Sequence, residues 1–397
     1  MDYDAIIVGA GPAGLLAANK IAEGGHKALV LEEHERVGEP DHCAGLLSTS
    51  GLASLGLNPP DDVIQNTVSG ARIHAPSGHS LFIERGKREA FVIDRRRFDS
   101  WLAKTATENG IDITTGRKVI HVSGSKQVPQ SIKTALKTYE AKVVLIAEGA
   151  RSVLSKSVGF PTVSKGSKLP AYQYEIRGAD IEDDLVEMFY GRQLAPGFFA
   201  WIIPLGEGKA RVGLASRSKS KIRLESAVRN HPIISTRLKN MKIVRRMGGI
   251  VLVSQPVSRL STDGLAIAGD TAGLVKATTG GGVIIGGLTA RIAGETINEA
   301  LQRDDVTRQG LSQYDKRCRA TYYRELQTMY LAQRALTSLT DKGLDSVVRD
   351  AHDMGLLEIV RREGDMDLQG NVIRKLVSNP RAFLLGLKAV RYINPFL

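Results

Sequence analysis

Residues 4–14, DAIIVGAGPAG, decide the fold of this chain. The five residues before Gly9 predict a short buried strand, and residues 15–23 predict a helix after the glycine turn. A second apolar segment, Ala28–Leu31, predicts another strand, and Glu32 follows it directly. The order of strand, glycine turn, helix, strand and acid is the fingerprint of a βαβ unit that binds a dinucleotide.

Each glycine of this GxGxxG turn has its own physical role. Gly9 permits the tight turn, Gly11 lets a pyrophosphate approach the backbone, and Gly14 lets the helix pack closely on the strand. The helix N-terminus offers unpaired N–H groups and a partial positive charge to the phosphates, and Glu32 can accept hydrogen bonds from ribose hydroxyls. The candidate cofactor-binding residues of this unit are Gly9, Gly11, Ala13, Gly14 and Glu32. The alternative is a glycine-rich turn that holds no nucleotide.

Length and composition are those of an ordinary globular protein with room for two or three domains. The chain has 397 residues, of which 42% are hydrophobic and 24% charged, as is typical of globular proteins. Its two cysteines, Cys43 and Cys318, are too few for a disulfide framework, which fits a reducing compartment. The eight histidines are scattered and no CxxC or HxH spacing occurs, so the sequence predicts no metal site.

A formal net charge of +12 indicates either an anionic partner or a solubilising role. Anionic lipid headgroups, a phosphorylated substrate and an acidic protein are candidate partners; nucleic acid is not expected, because no nucleic-acid motif is present. The longest apolar stretch, residues 264–294, is interrupted by Asp270, Lys276 and Arg291 and predicts no transmembrane helix. Since the first residues lead directly into a strand, we expect no signal peptide and a cytoplasmic protein.

The rest of the chain predicts an α/β fold with an α+β insert. Residues 142–147 and 264–268 are short apolar runs typical of buried parallel strands. Between them, residues 172–176 and 209–215 alternate in the manner of half-buried antiparallel strands, and beyond residue 300 the pattern is mostly helical. The predicted domains are a Rossmann-like nucleotide-binding domain over 1–67, 90–165 and 256–300, an inserted antiparallel β-rich substrate-binding domain over 68–89 and 166–255, and a helical C-terminal domain over 301–397.

Several short segments, taken in order, resemble one group of flavoproteins. They are the glycine turn with Glu32, DRRRFD at 94–99, EGARS at 148–152 and GDTAG at 269–273. This order resembles the FAD-dependent oxidoreductases of the p-hydroxybenzoate-hydroxylase fold. Four further segments narrow the resemblance to the geranylgeranyl reductases, especially the archaeal digeranylgeranylglycerophospholipid reductases: CAGL at 43–46, PGFFAWIIP at 196–204, TGGG at 279–282 and GDMD at 364–367.

The resemblance implies FAD as the cofactor and assigns further residues to it. Asp270 is expected at the ribityl chain or the pyrophosphate, and Arg95 at a phosphate or the cofactor edge. Backbone N–H groups of the glycine triplet at 280–282 are expected to stabilise negative charge on the reduced flavin. From the residues alone, the alternatives are an N-capping aspartate, a solvated basic face and a flexible glycine hinge. The full implied set is Cys43, Ala44, Arg95, Gly149, Asp270, Gly280, Gly281, Gly282 and Val283.

The resemblance also implies catalytic and substrate-binding residues. Cys43 and Trp201 are the candidate catalytic residues, and Phe198, Phe199 and Trp201 are expected to line an apolar substrate tunnel. The alternatives are a small buried cysteine and an aromatic sheet core. The family motif is usually Tyr-x-Trp-x-Phe-Pro, but Phe199 and Ile203 stand at its tyrosine and phenylalanine positions. No tyrosine hydroxyl is therefore expected at position 199.

The implied reaction is hydrogenation of isolated C=C bonds in geranylgeranyl chains of a prenylated membrane-lipid precursor. Such bonds have no adjacent carbonyl, so we expect an acid to protonate the alkene, aromatic faces to stabilise the positive charge, and flavin to supply hydride. No second nucleotide fingerprint is present, so the electron donor is expected to be NAD(P)H or an acidic ferredoxin. The alternatives are a reductase of geranylgeranyl diphosphate or of a chlorophyll precursor, a flavin monooxygenase of an aromatic substrate, and a non-enzymatic prenyl-binding carrier.

Residues 371–397 contain five basic and no acidic side chains. Within them, residues 381–392 predict an amphipathic helix with Phe383, Leu384, Leu387 and Val390 on one side. Such a helix would dock on an anionic membrane surface and make the protein a peripherally membrane-associated cytoplasmic enzyme. The alternative is a C-terminal helix packed on the protein body.

Overall fold

The computed structural model describes residues 2–123 and 129–393. Its strands are β1 (Tyr3–Val8), β2 (Ala28–Leu31), β3 (Leu46–Ser48), β4 (Ile64–Val68), β5 (Gly70–His74), β6 (Ser80–Glu84), β7 (Ala90–Ile93), β8 (Asp112–Thr114), β9 (Val119–Val122), β10 (Gln130–Thr134), β11 (Thr138–Ile146), β12 (Lys168–Arg177), β13 (Leu185–Phe189), β14 (Ala200–Gly206), β15 (Lys209–Ala215), β16 (Lys242–Leu252), β17 (Ser261–Thr262) and β18 (Leu265–Ile267). Its helices are α1 (Pro12–Glu23), α2 (Thr49–Ser54), α3 (Arg95–Glu108), α4 (Val153–Ser157), α5 (Ser220–Asn230), α6 (Pro232–Arg237), α7 (Val283–Gln302), α8 (Arg308–Cys318), α9 (Arg324–Ser338), α10 (Asp341–Asp353), α11 (Leu357–Glu363), α12 (Gly370–Ser378) and α13 (Pro380–Val390).

The opening segment forms the centre of a largely parallel sheet. Strand β1 pairs in parallel with β2 and β11, β2 pairs with β8, and β11 pairs with β18. Ile6 and Ile7 point to opposite faces of β1 and neither is exposed, so the sheet is covered on both sides, as apolar parallel strands require. The carboxyl ends of β1, β2, β11 and β18 therefore meet at one edge, where open α/β sheets bind their ligands.

Helices α1 and α7 cover this sheet and touch each other through glycines. A Cβ on Gly287 would lie 2.7 Å from Cδ1 of Leu16, and a Cβ on Gly294 would lie 2.6 Å from the carbonyl oxygen of Ala17. Any side chain at these two positions of α7 would force the helices apart. The close packing fixes the N-terminus of α7 beside the glycine turn that begins α1.

A second sheet has the strand order β16-β12-β15-β14-β13-β5-β6. Its pairs are antiparallel except for β13 with β5. Helices α5 and α6 cover one face, where Ile176, Val212 and Leu224 belong to a buried apolar cluster. The predicted fold class is confirmed: an α/β fold with a largely antiparallel second sheet and a helical region from α8 to α13. The proposed domain limits stay a prediction.

Three local features differ from the predicted elements or extend them. Strands β3, β7 and β4 form a small third sheet that the sequence did not predict, because these strands are short. Helix α3 begins at Arg95 rather than at Phe98, since the Asp94 carboxylate caps the N–H groups of Arg96 and Arg97 at 2.9 and 3.2 Å. Arg95 thus lies in the first turn of a helix.

The C-terminal region is helical, as predicted. Helix α13 covers Pro380–Val390, close to the predicted residues 381–392. The side chains of Phe383, Leu384, Leu387 and Val390 lie outside the described residues, so the apolar side of this helix stays a prediction. None of the helices in residues 2–123 and 129–393 combines the length and apolar character needed to cross a membrane.

Candidate active site

The glycine turn after β1 has open space where a phosphate would approach. Gly9 has a φ of +106°, and a Cβ on it would lie 2.4 Å from the carbonyl oxygen of Ala147, so the turn is pressed against the end of β11. A Cβ on Gly14 would lie 2.0 Å from the carbonyl oxygen of Gly9, whereas one on Gly11 would meet nothing within 4 Å. Gly11 is the N-cap of α1 and brings no side-chain cap. Space and uncapped N–H donors therefore coincide at Gly11, which fits a pyrophosphate.

Glu32 is buried at the end of β2 and holds the turn in place. Its Oε2 accepts a hydrogen bond from the Ala10 N–H at 2.8 Å. Its Oε1 accepts one from the backbone N–H of His34 at 3.0 Å and lies 2.6 Å from Nδ1 of the same residue. A carboxylate has about four acceptor positions, so Glu32 can still accept a ribose hydroxyl. The sequence gave no signal for His34, because one histidine near an acid forms no recognisable pattern.

Asp270 lies in a 3₁₀ turn, Gly269–Ala272, directly after β18. A Cβ on Gly269 would lie 2.9 Å from Cβ of Ala13, and one on Gly282 would lie 2.5 Å from Oδ1 of Asp270. The turn thus sits between the starts of α1 and α7. Burial raises the pKa of Asp270, although Arg95 opposes this shift. No donor in the described residues bonds to the carboxylate, and α7 is capped by Gly282 instead, so the N-capping alternative is wrong.

Arg95 connects Asp270 electrostatically to Cys43. Its Nε and Nη2 donate to Oδ1 and Oδ2 of Asp99 at 3.1 and 2.8 Å. Burial lowers the pKa of Arg95, but Asp99 and the Cys43 sulphur raise it further, so the net shift is upward. Arg96 and Arg97 are exposed, so the solvated-face alternative holds for them and not for Arg95. The guanidinium is a fixed cation beside the cysteine sulphur.

Two arginines of the second sheet fix the loop that carries Cys43. Arg211, buried in β15, donates from Nη1 to the carbonyl oxygens of Ala44 and Ile93 at 2.9 and 3.0 Å. Arg245, in β16, donates to Oδ2 of Asp41 at 2.9 Å. Both were missed in the sequence, because a charged residue at an alternate strand position is expected to face water. Here the Cys43 loop covers that face of the sheet.

Gln173 joins the two candidate catalytic residues. Its Nε2 donates to the backbone carbonyl of Cys43 at 3.0 Å, and its Oε1 accepts a hydrogen bond from Nε1 of Trp201 at 3.3 Å. A Cβ on Gly213 would lie 2.6 Å from Cζ2 of Trp201, so the indole lies directly on β15. Gln173 itself is buried. The same alternation in β12 that predicts the strand also places this amide on the site face, but not its two partners.

The predicted aromatic wall is a packed cluster. The rings of Phe198 and Phe199 stack at 4.1 Å, and Phe199 meets Trp201 edge-on at 6.2 Å. Tyr190, which was not predicted, lies 5.3 Å from Phe199. In the described part of the chain no group bonds to the Tyr190 hydroxyl, and burial raises its pKa. A tyrosine hydroxyl is therefore present beside position 199, supplied by the neighbouring strand β13.

The glycine triplet touches this aromatic cluster. A Cβ on Gly280 would lie 3.4 Å from Cζ of Phe198 and 2.5 Å from Cγ1 of Val251. The backbone bonds from Lys276 N–H to the Gly281 carbonyl and from Gly280 N–H to the Lys276 carbonyl, at 3.0 and 2.7 Å, close the loop. The triplet is thus held in a defined turn, against the flexible-hinge alternative.

A buried ion pair holds the C-terminal GDMD segment against the same loop. Lys276 donates from Nζ to Oδ1 of Asp367 at 2.6 Å and to the carbonyl oxygen of Met366 at 3.0 Å. The Ser48 hydroxyl also donates to Asp367. A Cβ on Gly281 would lie 2.7 Å from Cε of Lys276. The sequence marked the segment through resemblance, but the pairing spans too many residues to follow from a local pattern.

The predicted site residues form one arc along the carboxyl ends of the first sheet. It starts at Glu32, passes the glycine turn and Asp270, and ends at Cys43 and the aromatic cluster. Gly149 joins it through its carbonyl, which accepts a hydrogen bond from Thr271 at 3.2 Å, and Val283 is the first residue of α7. No contact between described residues joins Glu32 to Cys43 or Trp201, as expected for the two ends of an extended dinucleotide.

Comparisons with known proteins agree on one family. The family model described as lycopene cyclase protein matches residues 4–340. A digeranylgeranylglycerophospholipid reductase 2 from Methanopyrus kandleri is 30% identical over 387 residues, covering 94% of this chain and 97% of that protein. A digeranylgeranylglycerophospholipid reductase from Methanosarcina acetivorans is 32% identical and covers 87% of each chain.

Solved structures show the same architecture. A geranylgeranyl bacteriochlorophyll reductase-like protein from Thermoplasma acidophilum superposes with a TM-score of 0.85 at 26% identity, covering 98% of this chain and 99% of that one. The halogenase PltM in complex with FAD superposes with a TM-score of 0.73 at 14% identity, covering 100% and 97%, which shows a common fold. The chain therefore belongs both to the family described as lycopene cyclase protein and to that of the digeranylgeranylglycerophospholipid reductases.

Proposed function

We propose that this protein is an FAD-dependent oxidoreductase that hydrogenates isolated C=C bonds in geranylgeranyl chains of archaeal-type membrane-lipid precursors. The observation that carries the proposal is the contact between the glycine triplet and the aromatic cluster, 3.4 Å from a Gly280 Cβ to Phe198. A flavin ring held by the triplet would face an apolar wall. The names and coverage of the curated relatives support the same substrate class.

The residues present fit FAD. The open space and uncapped donors at Gly11 suit the pyrophosphate. Glu32 has acceptor positions left for the ribose, and the unbonded carboxylate of Asp270 suits a hydroxyl of the ribityl chain. Donation of a hydroxyl hydrogen to Asp270 would satisfy a buried polar group that has no partner in the protein. Bound FAD would supply the hydride that saturates the double bond.

The chain's own residues supply the remaining requirements of the reaction. Each saturated bond needs one proton besides the hydride, and the half-buried Cys43 holds one at Sγ. The Arg95 guanidinium beside that sulphur would stabilise the thiolate left after proton transfer. The faces of Phe199 and Trp201 would stabilise positive charge on the substrate carbon. The buried aromatic cluster excludes water, which would otherwise capture that carbon.

The electron donor and the surroundings of the enzyme belong to the same proposal. Either NAD(P)H or an acidic ferredoxin supplies the electrons, and the net charge of +12 supports the acidic carrier. A prenylated lipid substrate and the same positive charge support a peripheral association with an anionic membrane surface.

Anaerobic turnover tests the proposal. The purified protein is loaded with FAD, reduced with dithionite, mixed with digeranylgeranylglycerophospholipid in detergent and analysed by mass spectrometry. We expect a gain of two hydrogen atoms for each bond reduced. An unchanged mass with altered chromatography would indicate cyclisation, as the lycopene cyclase family model could suggest. Gain of an oxygen atom in air would indicate a monooxygenase, and failure to bind FAD would indicate a carrier.

A Cys43→Ala variant tests the proton donor. We expect it to bind FAD as the native protein does but to lose most of its turnover, because the alkene would receive no proton. Arg96→Ala, which alters an exposed neighbour of Arg95, is the matched control and should turn over normally. Full turnover by the Cys43→Ala protein would exclude an essential thiol acid.

A further inference from the structure

Residues 217–246 concentrate the positive charge of the chain. They contain ten lysines and arginines and a single acidic residue, Glu225. The segment includes α5, α6 and the first half of β16, and it covers the face of the second sheet that lies opposite the Cys43 loop. Such a density of one sign of charge creates a strong local potential.

Seven of these cations have no counter-ion. Arg223, Arg237 and Arg245 are used inside the protein, since they bond to the carbonyl of Gln193 or pair with Glu187 and Asp41. In the described ranges, the other seven are exposed and form no ion pair. We call these seven residues the basic face: Arg217, Lys219, Lys221, Arg229, Lys239, Lys242 and Arg246.

The helix and the edge strand contribute to one continuous surface. Arg246 of β16 lies 5.9 Å from the ring centroid of Tyr174. Burial and Glu225 raise the pKa of Tyr174, whereas Arg246 and Arg229 of α5 both oppose that shift, so the two arginines converge on one ring. The first turn of α5 has no acidic residue and no side-chain cap. Lys219 and Lys221 at that helix start add to its positive end.

Two large apolar side chains stand exposed among these cations. Ile222 is 62% exposed in α5, and Val244 is 51% exposed in β16. Basic residues on an edge strand also discourage pairing with another sheet, but that reason does not apply to α5 or explain the two apolar residues. Exposed apolar residues within a cationic surface are the pattern of proteins that bind the membrane interface.

We propose that the basic face docks on a bilayer containing anionic lipids, with Ile222 and Val244 entering the interface. This deepens the proposed function and rests on it only in that the substrate is a membrane lipid. An acidic electron carrier fits this surface less well, because the whole second sheet would separate it from Cys43 and Arg95. Edge strand β16 also borders the Cys43 loop, since a Cβ on Gly249 would lie 3.2 Å from Cβ of His42. Docking there brings the membrane beside that loop.

Vesicle sedimentation of the full-length, FAD-loaded protein tests the proposal. We expect binding to vesicles of phosphatidylcholine with phosphatidylglycerol, weaker binding at high salt, and none to phosphatidylcholine alone. Each cation near an anionic surface contributes about five-fold in affinity. The triple variant Lys219→Glu, Lys221→Glu, Arg229→Glu should therefore bind about 100-fold more weakly or worse. Ile222→Ser should bind more weakly without changing the salt dependence.

A matched control has the same change in net charge outside the basic face. It is the triple variant Lys133→Glu, Lys156→Glu, Arg303→Glu, at exposed residues that make no ion pair within the described residues. We expect it to keep most of the vesicle binding. Equal losses in the two variants, or no binding of native protein to anionic vesicles, would overturn the docking surface.

Turnover separates this proposal from the proposed function. Both triple variants should reduce substrate dispersed in detergent at the native rate, because none of the six positions lies in the candidate active site. If no protein form turns over, the proposed function fails, and the vesicle comparison still decides the docking surface. Competition by a purified acidic ferredoxin, with no binding to vesicles, would assign the face to a protein partner instead.

Discussion

Replacing Gln173 by methionine tests whether the second sheet positions the catalytic loop. Methionine has a similar length but removes the donor to the Cys43 carbonyl and the acceptor for the Trp201 indole. Each neutral hydrogen bond contributes about 0.5–1.5 kcal/mol, and a buried group left unsatisfied costs about 1–3 kcal/mol. With two bonds lost in a buried site, we expect the free energy of unfolding to fall by about 2–4 kcal/mol.

Urea unfolding and turnover of the same Gln173→Met protein measure this effect. We expect turnover to fall about ten-fold, since a loss of about 1.4 kcal/mol in positioning Cys43 and Trp201 is enough. Gln193→Met is the matched control, because Gln193 is exposed, and should change stability by less than about 0.5 kcal/mol. If both variants unfold at the same urea concentration and turn over equally, the positioning role is refuted.

Three further predictions concern the glycine turn, the buried ion pair and Asp270. Gly11→Ala should leave the melting temperature unchanged but weaken FAD binding about ten-fold or more, about 1.4 kcal/mol, because its methyl group meets only open space; Gly14→Ala should instead cost about 1–3 kcal/mol of stability through its clash with the turn. Equal melting temperatures of the two would contradict this. Asp367→Asn leaves Lys276 buried without its counter-charge and should cost about 3–5 kcal/mol, most of which the double variant Lys276→Met, Asp367→Leu should restore; urea unfolding measures both. Since burial raises the pKa of Asp270, its ionisation costs stability as the pH rises through the folded-state pKa, so Asp270→Asn should raise the melting temperature of the FAD-free protein at neutral pH and lose that advantage in acid. A constant advantage at every pH would argue against an ionised Asp270.

Local patterns predicted the parts of the site that lie in short segments. The glycine turn, Glu32 and the strand before Asp270 are each defined by neighbours a few residues away, and their spacing follows from the geometry of a βαβ unit. Arg95 was distinguished from its exposed neighbours only by resemblance. The structure supplies the physical reason, which is its paired bond to Asp99 one helical turn later.

The contacts that join the two sheets could not be predicted from the sequence. Gln173, Arg211 and Arg245 sit at strand positions that periodicity assigns to a polar face. Only the tertiary fold shows that the Cys43 loop covers this face. The pairing of Lys276 with Asp367 likewise depends on where the C-terminal segment returns to the glycine triplet, which no local pattern encodes. Tyr190 became visible only through the pairing of β13 with β14.

The most direct test of the central claim is the anaerobic reoxidation of protein-bound FAD, followed by its visible absorbance. The protein is reduced with one equivalent of dithionite and mixed with an unsaturated digeranylgeranyl lipid or with its fully saturated counterpart. We predict that the oxidised flavin spectrum returns with the unsaturated lipid and not with the saturated one. A flavin that stays reduced with both lipids would contradict the account.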